Sequence, residues 1–311
     1  MPMVPVEDVL KTLYRLHGEQ TPVTVTGLAE QLQQPQADTE NTLDEMAGQD
    51  LVTRSQPDGV RLTEHGRQQA LEWLLSQAME DYLKTIFKLQ REGERVTTSA
   101  IADRLRIKDA SVTGMIKKLA ELKLVEHERY QGVKLTPAGE KIALEVIRHH
   151  RLLESYLADA LGYRWDEVDA EAERLEHVIS EDFESRIAAL LGHPNTDPHG
   201  DPIPSQDLVM PPFVGQRLSD LPMGHTARVV RVADDDPALL RYLSEIGLVP
   251  QVIFVLRERA PFNGPLVLEI GGRQIAIGLE VADKISVVED RISSEVNSVP
   301  SLLAHDPGLS E

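Results

Sequence analysis

The sequence contains no cysteine. Disulfides, thiolate zinc sites and a cysteine nucleophile are excluded, and the redox compartment stays undecided. Aromatic residues are scarce at 4%, which suits a helix-rich chain. No run of about 18 apolar residues occurs, so nothing is expected to span a membrane. The N-terminus MPMVPVEDVLKTLYRL has no basic stretch followed by an apolar core, so no signal peptide is expected and the default location is cytoplasmic. Positive charge is also short, with 32 Lys and Arg against 51 Asp and Glu and a formal net charge of −19. Over the whole chain this opposes nucleic acid, because phosphates repel acidic surfaces. A DNA-binding face needs only a local basic patch, so the distribution of charge decides. The 311 residues suffice for two or three domains of ordinary size.

What is present is an internal duplication. EDVLKTLYRL from Glu7 returns as EDYLKTIFKL from Glu80, an offset of 73 residues. The offset persists without a gap: VTVTGLAEQL from Val23 matches VTTSAIADRL from Val96, and GVRLTEHGRQQALE from Gly59 matches GVKLTPAGEKIALE from Gly132. Each copy reads as one small unit. In the second, an apolar-periodic helix (Leu83, Ile86, Phe87, Leu89) precedes a turn at Glu92–Arg95. Thr98 or Ser99 then caps a short helix, SAIADRLRI. Ser111 opens the helix SVTGMIKKLAEL, LVEHERYQGVKLT reads as a hairpin around Gly132, and a long helix starts at Pro137. Helix, helix-turn-helix, hairpin, helix is the winged helix-turn-helix order.

Charge separates the copies. Ser99 to Leu135 carries eight Lys or Arg against five acids, whereas the matching Thr26 to Leu62 carries two against seven. The first copy's would-be recognition helix presents Asp38, Glu40, Asp44 and Glu45, which would repel phosphate. The second copy is therefore expected to bind DNA, and the first to be a docking or dimer-supporting module. In the second, small residues (Ala110, Ser111, Thr113, Gly114) let the helix approach base edges closely. Lys108, Lys117, Lys118 and Arg129 in the wing suit phosphates. Thr98 and Ser99 complete the candidate DNA-contacting set. Packing is the competing reason for small residues there.

A second constellation is metal-like. His150 and Glu154 stand one turn apart on the long helix. WDEVDAEAERLEHVISEDFE reads as a further helical stretch with Asp169, Glu173, Glu176 and His177 on one stripe. Oxygen and imidazole donors without sulfur favour manganese, iron(II) or magnesium-like chemistry. A solvated acidic helix is the competing reading.

Taken together, MEDYLKTIFKL, the segment from ASVTGMIKKLAEL to HHRLLE, EAERLEHVIS and HPNTDPHGDPIP resemble the diphtheria-toxin-repressor family of iron- and manganese-dependent regulators. The resemblance runs from about Met79 to Pro204. It implies a winged-helix DNA-binding domain followed by a helical dimerisation and metal domain. It places the primary metal ligands on Asp81, Glu173, Glu176 and His177. The family's iron branch has methionine and cysteine at the first two of these positions, and the manganese branch has Asp and Glu, as here. His150 matches a histidine used in both branches, and Glu154 a carboxylate of the iron branch's ancillary site. Two positions depart: Lys84 replaces a second-site glutamate, and Asp169 an ancillary histidine. Further on, RLSDLPMGHTARVVRVADDD through IGLEVADKISV resembles the FeoA domain, a small SH3-like barrel. In the family this domain can lend an ancillary ligand, for which Asp235 aligns best. His193 and His199 read as linker residues, not ligands.

The expected fold is thus mainly α with small β: tandem winged helix-turn-helix domains, a helical dimerisation domain and a C-terminal SH3-like β-barrel. The expected segments are residues 1–75 (degenerate copy), 76–140 (DNA-binding), 141–204 (dimerisation and metal), 205–290 (FeoA-like) and 291–311 (disordered tail). The last helix of the first copy, from about Glu64, is expected to run straight into the helix carrying Asp81. The expected function is a metal-dependent transcriptional repressor, not an enzyme, activated by Mn(II), with Fe(II) as the alternative. Its expected partners are a palindromic double-stranded DNA operator and a second copy of itself, with no membrane and no small-molecule substrate. Three rivals remain: a metal-dependent hydrolase, a metal-blind winged-helix regulator and an interaction scaffold. No HExxH, GxSxG or phosphate-cradling loop supports the first.

Overall fold

The computed structural model describes residues 4–16, 23–55, 59–93, 95–128, 132–233 and 236–290. It divides into two compact units, Met1–Arg148 with Gln206–Val209 and His149–Ser205 with Met210–Glu311.

The first unit repeats one series of elements. α1 (Val6–Leu16), α2 (Val25–Leu32), α3 (Gln36–Gly48), β1 (Val52–Ser55), β2 (Gly59–Leu62) and α4 (Glu64–Leu74) are followed by α5 (Gln77–Arg91), α6 (Thr98–Leu105), α7 (Asp109–Glu121), β3 (Val125–Glu128), β4 (Gly132–Leu135) and α8 (Pro137–Asp159). The correspondence extends to backbone detail. β1 and β2 pair Val52 with Leu62, and β3 and β4 pair Val125 with Leu135. Thr24 and Thr97 cap α2 and α6 by accepting from Gly27 N and Ala100 N. Thr97, not Thr98 or Ser99, is thus the cap of α6. It has extended backbone torsions, whereas Thr98 is already helical. Likewise α7 opens at Asp109, two residues before Ser111.

Gly66 and Gly139 show how close the packing is. A Cβ at Gly66 would lie 1.9 Å from the Leu51 carbonyl oxygen, and at Gly139 2.0 Å from that of Leu124. Only glycine lets α4 and α8 start so near the residue that leads into β1 or β3. In each half the apolar positions, spaced by three and four along the helices, face inward. Val9, Leu10, Leu13, Leu28, Leu43 and Met46 fill one core, and Leu83, Ile86, Ile101, Ile116 and Leu119 are buried in the other. The Tyr14 hydroxyl donates to the Leu122 carbonyl at 3.2 Å and links the halves.

α4 does not continue into α5. Leu75 is extended (φ −71, ψ 148), as is Ser76 (φ −123, ψ 154), and these two residues separate the helices. The expected continuous helix is therefore two.

The second unit contains the end of α8, α9 (Val168–Leu175) and α10 (Glu181–Leu190). The expected single helical stretch is broken after Leu175, because Ser180 is extended and accepts from Phe183 N to start α10. Leu152, Leu153, Leu157, Val168, Ala172, Ile187 and Ile203 form their core. Next come β5 (Gln216–Arg217), β6 (Thr226–Val232), α11 (Pro237–Ile246), β7 (Ile253–Arg259), β8 (Leu266–Ile270), β9 (Arg273–Ile277), α12 (Leu279–Asp283) and β10 (Ile285–Glu289). The strands form one antiparallel sheet in the order β5-β10-β6-β7-β8-β9. β5 and β9 are its edges, so the pairing among the described strands does not close into a ring. Alternating residues such as Ala227, Val229, Phe254, Leu256, Leu266 and Leu268 point into its core. Among the described residues no helix is long and apolar enough to cross a membrane.

Candidate DNA face and metal centre

α7 has two unlike faces. Val112, Ile116 and Leu119 are buried, while Ala110, Ser111, Thr113, Gly114, Lys117 and Lys118 are exposed. Nothing lies within 4 Å of where a Gly114 Cβ would stand, so small residues are not imposed on this face by packing. Lys108 and Ser99 are exposed and Thr98 is half-buried. Ser99 Oγ donates to Asp109 Oδ2 at 3.1 Å and ties the start of α6 to the start of α7. Arg129 lies outside the described residues.

α3 occupies the position of α7 in the first half. At the places of Ser111, Thr113, Lys117 and Lys118 it carries Asp38, Glu40, Asp44 and Glu45. Asp44 and Glu45 are exposed, and Asp44 pairs with Arg54 of β1. The backbone has been kept while the charge has been reversed.

The carboxylate–imidazole constellation lies where the end of α8 meets α9. His150 is buried with both ring nitrogens among carboxylates. Nδ1 is 2.6 Å from Glu176 Oε2 and 3.7 Å from Glu173 Oε2, and Nε2 is 3.4 Å from both Glu154 Oε1 and Asp169 Oδ1. His177 Nε2 is 3.3 Å from Glu176 Oε1. Glu154 and Glu176 are buried, whereas the side chains of Asp169 and Glu173 are about half-exposed, so one side of the cluster opens to solvent. Asp81 is half-buried and Lys84 buried, both on α5 in the first unit. Asp235 lies outside the described residues.

His199, which sequence reasoning assigned to a linker, and Asp197, which it did not single out, belong beside this cluster. Glu154, Asp197 and His199 are all buried, with ligand-type atoms within 4.8 Å of one another. His199 Nε2 is 2.7 Å from the Trp165 carbonyl oxygen, its ring stacks on the Trp165 indole at 5.7 Å, and Nδ1 is 3.5 Å from Glu154 Oε1. Asp197 Oδ1 accepts from the backbone N–H of His199 and of Asp201, each at 2.9 Å. Both Glu154 oxygens, Asp197 Oδ2 and His199 Nδ1 are buried without a hydrogen bond. Buried polar atoms are ordinarily satisfied, so convergent oxygen and nitrogen donors left over in this way fit a divalent cation. The signal was weak in the sequence because DPHGD is also good turn chemistry; burial alone separates the two roles.

The electrostatics agree with tight coupling. Burial raises the Glu154 carboxyl, but His150 and His199 outweigh it and hold the group far below the usual carboxylate range. Burial disfavours charge on His199 too, yet the close approach of Glu154 at 3.5 Å, the charges of Glu154 and Asp197 and the Trp165 carbonyl push it up to about 9. Burial, with the charges of Glu154 and Asp201, pushes Asp197 well above its ordinary value against the pull of Arg151 and His199.

Comparison with known proteins gives these clusters a family. Residues 74–133 match the iron dependent repressor N-terminal DNA binding domain, residues 136–205 its metal binding and dimerisation domain, and residues 216–289 the FeoA domain. The iron-dependent repressor IdeR of Mycobacterium leprae is 33% identical over 220 residues, spanning 67% of this chain and 95% of that protein. The chain belongs to the iron-dependent repressor family. Within it, the diphtheria toxin repressor of Corynebacterium diphtheriae is 35% identical over 128 residues, 41% of this chain and 57% of that one. A solved manganese-dependent transcriptional repressor in complex with manganese aligns with a TM-score of 0.64 and 39% identity, covering 68% of this chain and 99% of the other. In this family member α1 to β2 and all but the last residue of α4 precede residue 74, where the match begins.

Proposed function

We propose that the protein is a dimeric, DNA-binding transcriptional repressor of metal homeostasis in the cytoplasm, switched on by Mn(II), with no turnover chemistry of its own. One observation carries the metal reading: His150 is buried with carboxylates at both ring nitrogens. Glu173, Glu176 and His177, joined by Asp81, are the proposed primary ligands, with His150 beside them. The fit rests on hard oxygen and imidazole donors, which suit manganese; iron(II) accepts the same donors and is the alternative. Glu154, Asp197 and His199 are the proposed core of a second site, to which Asp169 and, from the family resemblance alone, Asp235 are further candidates. The ion supplies positive charge that relieves repulsion among carboxylates. Asp81 belongs to the DNA-binding half and the other primary ligands to the dimerisation half. Joint ligation by both would favour one domain arrangement, and that arrangement would bind the operator more tightly.

α7 is the proposed recognition helix. Ala110, Ser111, Thr113 and Gly114 approach base edges, and Lys108, Lys117 and Lys118, with Thr98, Ser99 and Arg129, contact the backbone. Paired copies would read a two-fold operator.

The test is selection of duplexes from a random pool by purified protein, with manganese in one arm and chelator in the other at one salt concentration. A palindrome enriched only with manganese supports the reading. Equal enrichment in both arms would leave a winged-helix regulator that ignores metal. Enrichment only with anaerobic iron(II) would select the alternative ion.

A further inference from the structure

We infer that the FeoA domain is the positioning element of the second metal site: the end of β6 holds Asp197 and His199 against Glu154, and Gly200 and Arg231 are the residues that do it. The inference rests on the reading of Glu154, Asp197 and His199 as a metal site.

The turn carrying Asp197 and His199 is fastened to the sheet at three points. Val232 N donates to the His199 carbonyl at 2.9 Å. Gly200 (φ +92) lies so close to β6 that a Cβ would be 1.9 Å from the Val230 carbonyl oxygen. Arg231 Nε donates to Asp201 Oδ2 at 2.8 Å, while Arg151 Nη2 on α8 donates to Asp201 Oδ1 at 3.0 Å. Asp201 is thus a bridge between the sheet and the helix that supplies Glu154. Its own N–H in turn holds Asp197 Oδ1, which leaves Oδ2, 3.6 Å from Arg151 Nε, as the carboxylate oxygen without a hydrogen bond.

The other support of His199 is also fastened to this domain. Trp165, whose carbonyl takes the Nε2 proton and whose indole stacks on the ring, packs against the core of the sheet. Its neighbour Asp166 accepts from Arg241 of α11 at 3.2 Å. A proton held on Nε2 leaves Nδ1 as the coordinating nitrogen. The sheet sets where the turn lies, and loss of such outer-shell support ordinarily weakens metal binding by about 10–100-fold.

The experiment is manganese titration of the full-length protein by calorimetry, with metal content checked after gel filtration. It uses wild type, His199→Ala, Arg231→Met, Arg231→Lys and Gly200→Ala. Circular dichroism melting confirms that each variant is folded. Wild type is expected to bind two ions per chain and His199→Ala one. Arg231→Met should retain the tighter ion and bind the other about 10–100-fold more weakly, with Arg231→Lys restoring much of the loss. Gly200→Ala should act in the same direction, but it is the variant at risk of misfolding, and Arg231→Met decides the matter without it. If wild type binds two ions, His199→Ala removes one and Arg231→Met binds both as wild type does, the positioning role is refuted and the second site stands. If wild type binds one ion and His199→Ala binds it equally, the second site itself falls and the inference with it.

Discussion

Replacing Lys117 and Lys118 together by glutamine tests the assignment of α7. Both side chains are exposed, on the face opposite the buried Val112, Ile116 and Leu119, so folding should change by no more than about 0.5 kcal/mol. Each lysine that meets a phosphate releases about 0.9 counterion, and log K falls with log salt by the same amount. Two lysines per protomer make four in a bound dimer. The slope should therefore become shallower by about 3.6, and at about 0.1 M salt the affinity should drop by between three and four powers of ten. The assay is fluorescence anisotropy on the selected operator with saturating manganese, at four or five salt concentrations. Manganese stoichiometry, measured in parallel, should be unchanged. A slope equal to that of wild type would mean that these lysines do not face phosphate, and α7 would lose its assignment. A weaker affinity with an unchanged slope would be equally damaging, because it would point to a folding or metal defect.

Four further outcomes are expected. Glu173→Gln and Asp81→Ala should each keep the fold and the dimer, by melting and light scattering, yet lose manganese-dependent DNA binding; a full metal response in either would remove that residue from the primary site. Gly139→Ala should destabilise the protein by about 1–3 kcal/mol in denaturant melts, since the Leu124 carbonyl must yield to the new methyl; a change under about 0.5 kcal/mol would show that the strand moves freely. In chelator, the stabilisation from His199 should be complete below its ordinary value near 6.5 and lost as pH rises through about 9, whereas manganese binding should strengthen over the same range because the Nδ1 proton must leave; melts and titrations run from pH 6 to 9 would expose either sign error. Deleting residues 1–75 should alter metal-dependent DNA affinity or dimerisation, and if neither moves the first half is not a docking module.

The parts legible in the sequence are those set by local periodicity and by short-range stereochemistry. The 73-residue offset in apolar residues, caps and glycines corresponds to repeated elements with repeated strand register. Charge reversal between α3 and α7 was equally plain, since it needs only helical phase. Less visible were the breaks at Leu75–Ser76 and after Leu175, where neither Pro nor Gly marks the stop: extended backbone at Leu75 and Ser76 separates the first pair of helices, and Ser180 restarts the chain as α10 in the second. His150 and Glu154 could be paired from their spacing on one helix face. Asp197 and His199 could not, because their partner Glu154 stands more than 40 residues earlier in the chain and only tertiary folding brings them together.

The position of His150 limits how the two clusters can fill. A neutral imidazole has a single lone pair to give, and its other nitrogen must carry the proton. With carboxylates at both nitrogens, the ring can coordinate on one side while donating to a carboxylate on the other. Were Nδ1 to hold an ion, Nε2–H would donate toward Glu154 and Asp169 and leave those oxygens less charge for a neighbour. Were Nε2 to hold it, Nδ1–H would do the same to Glu173 and Glu176. The two occupancies therefore compete for one electron pair. A second ion would then load over a separate, higher range of free metal.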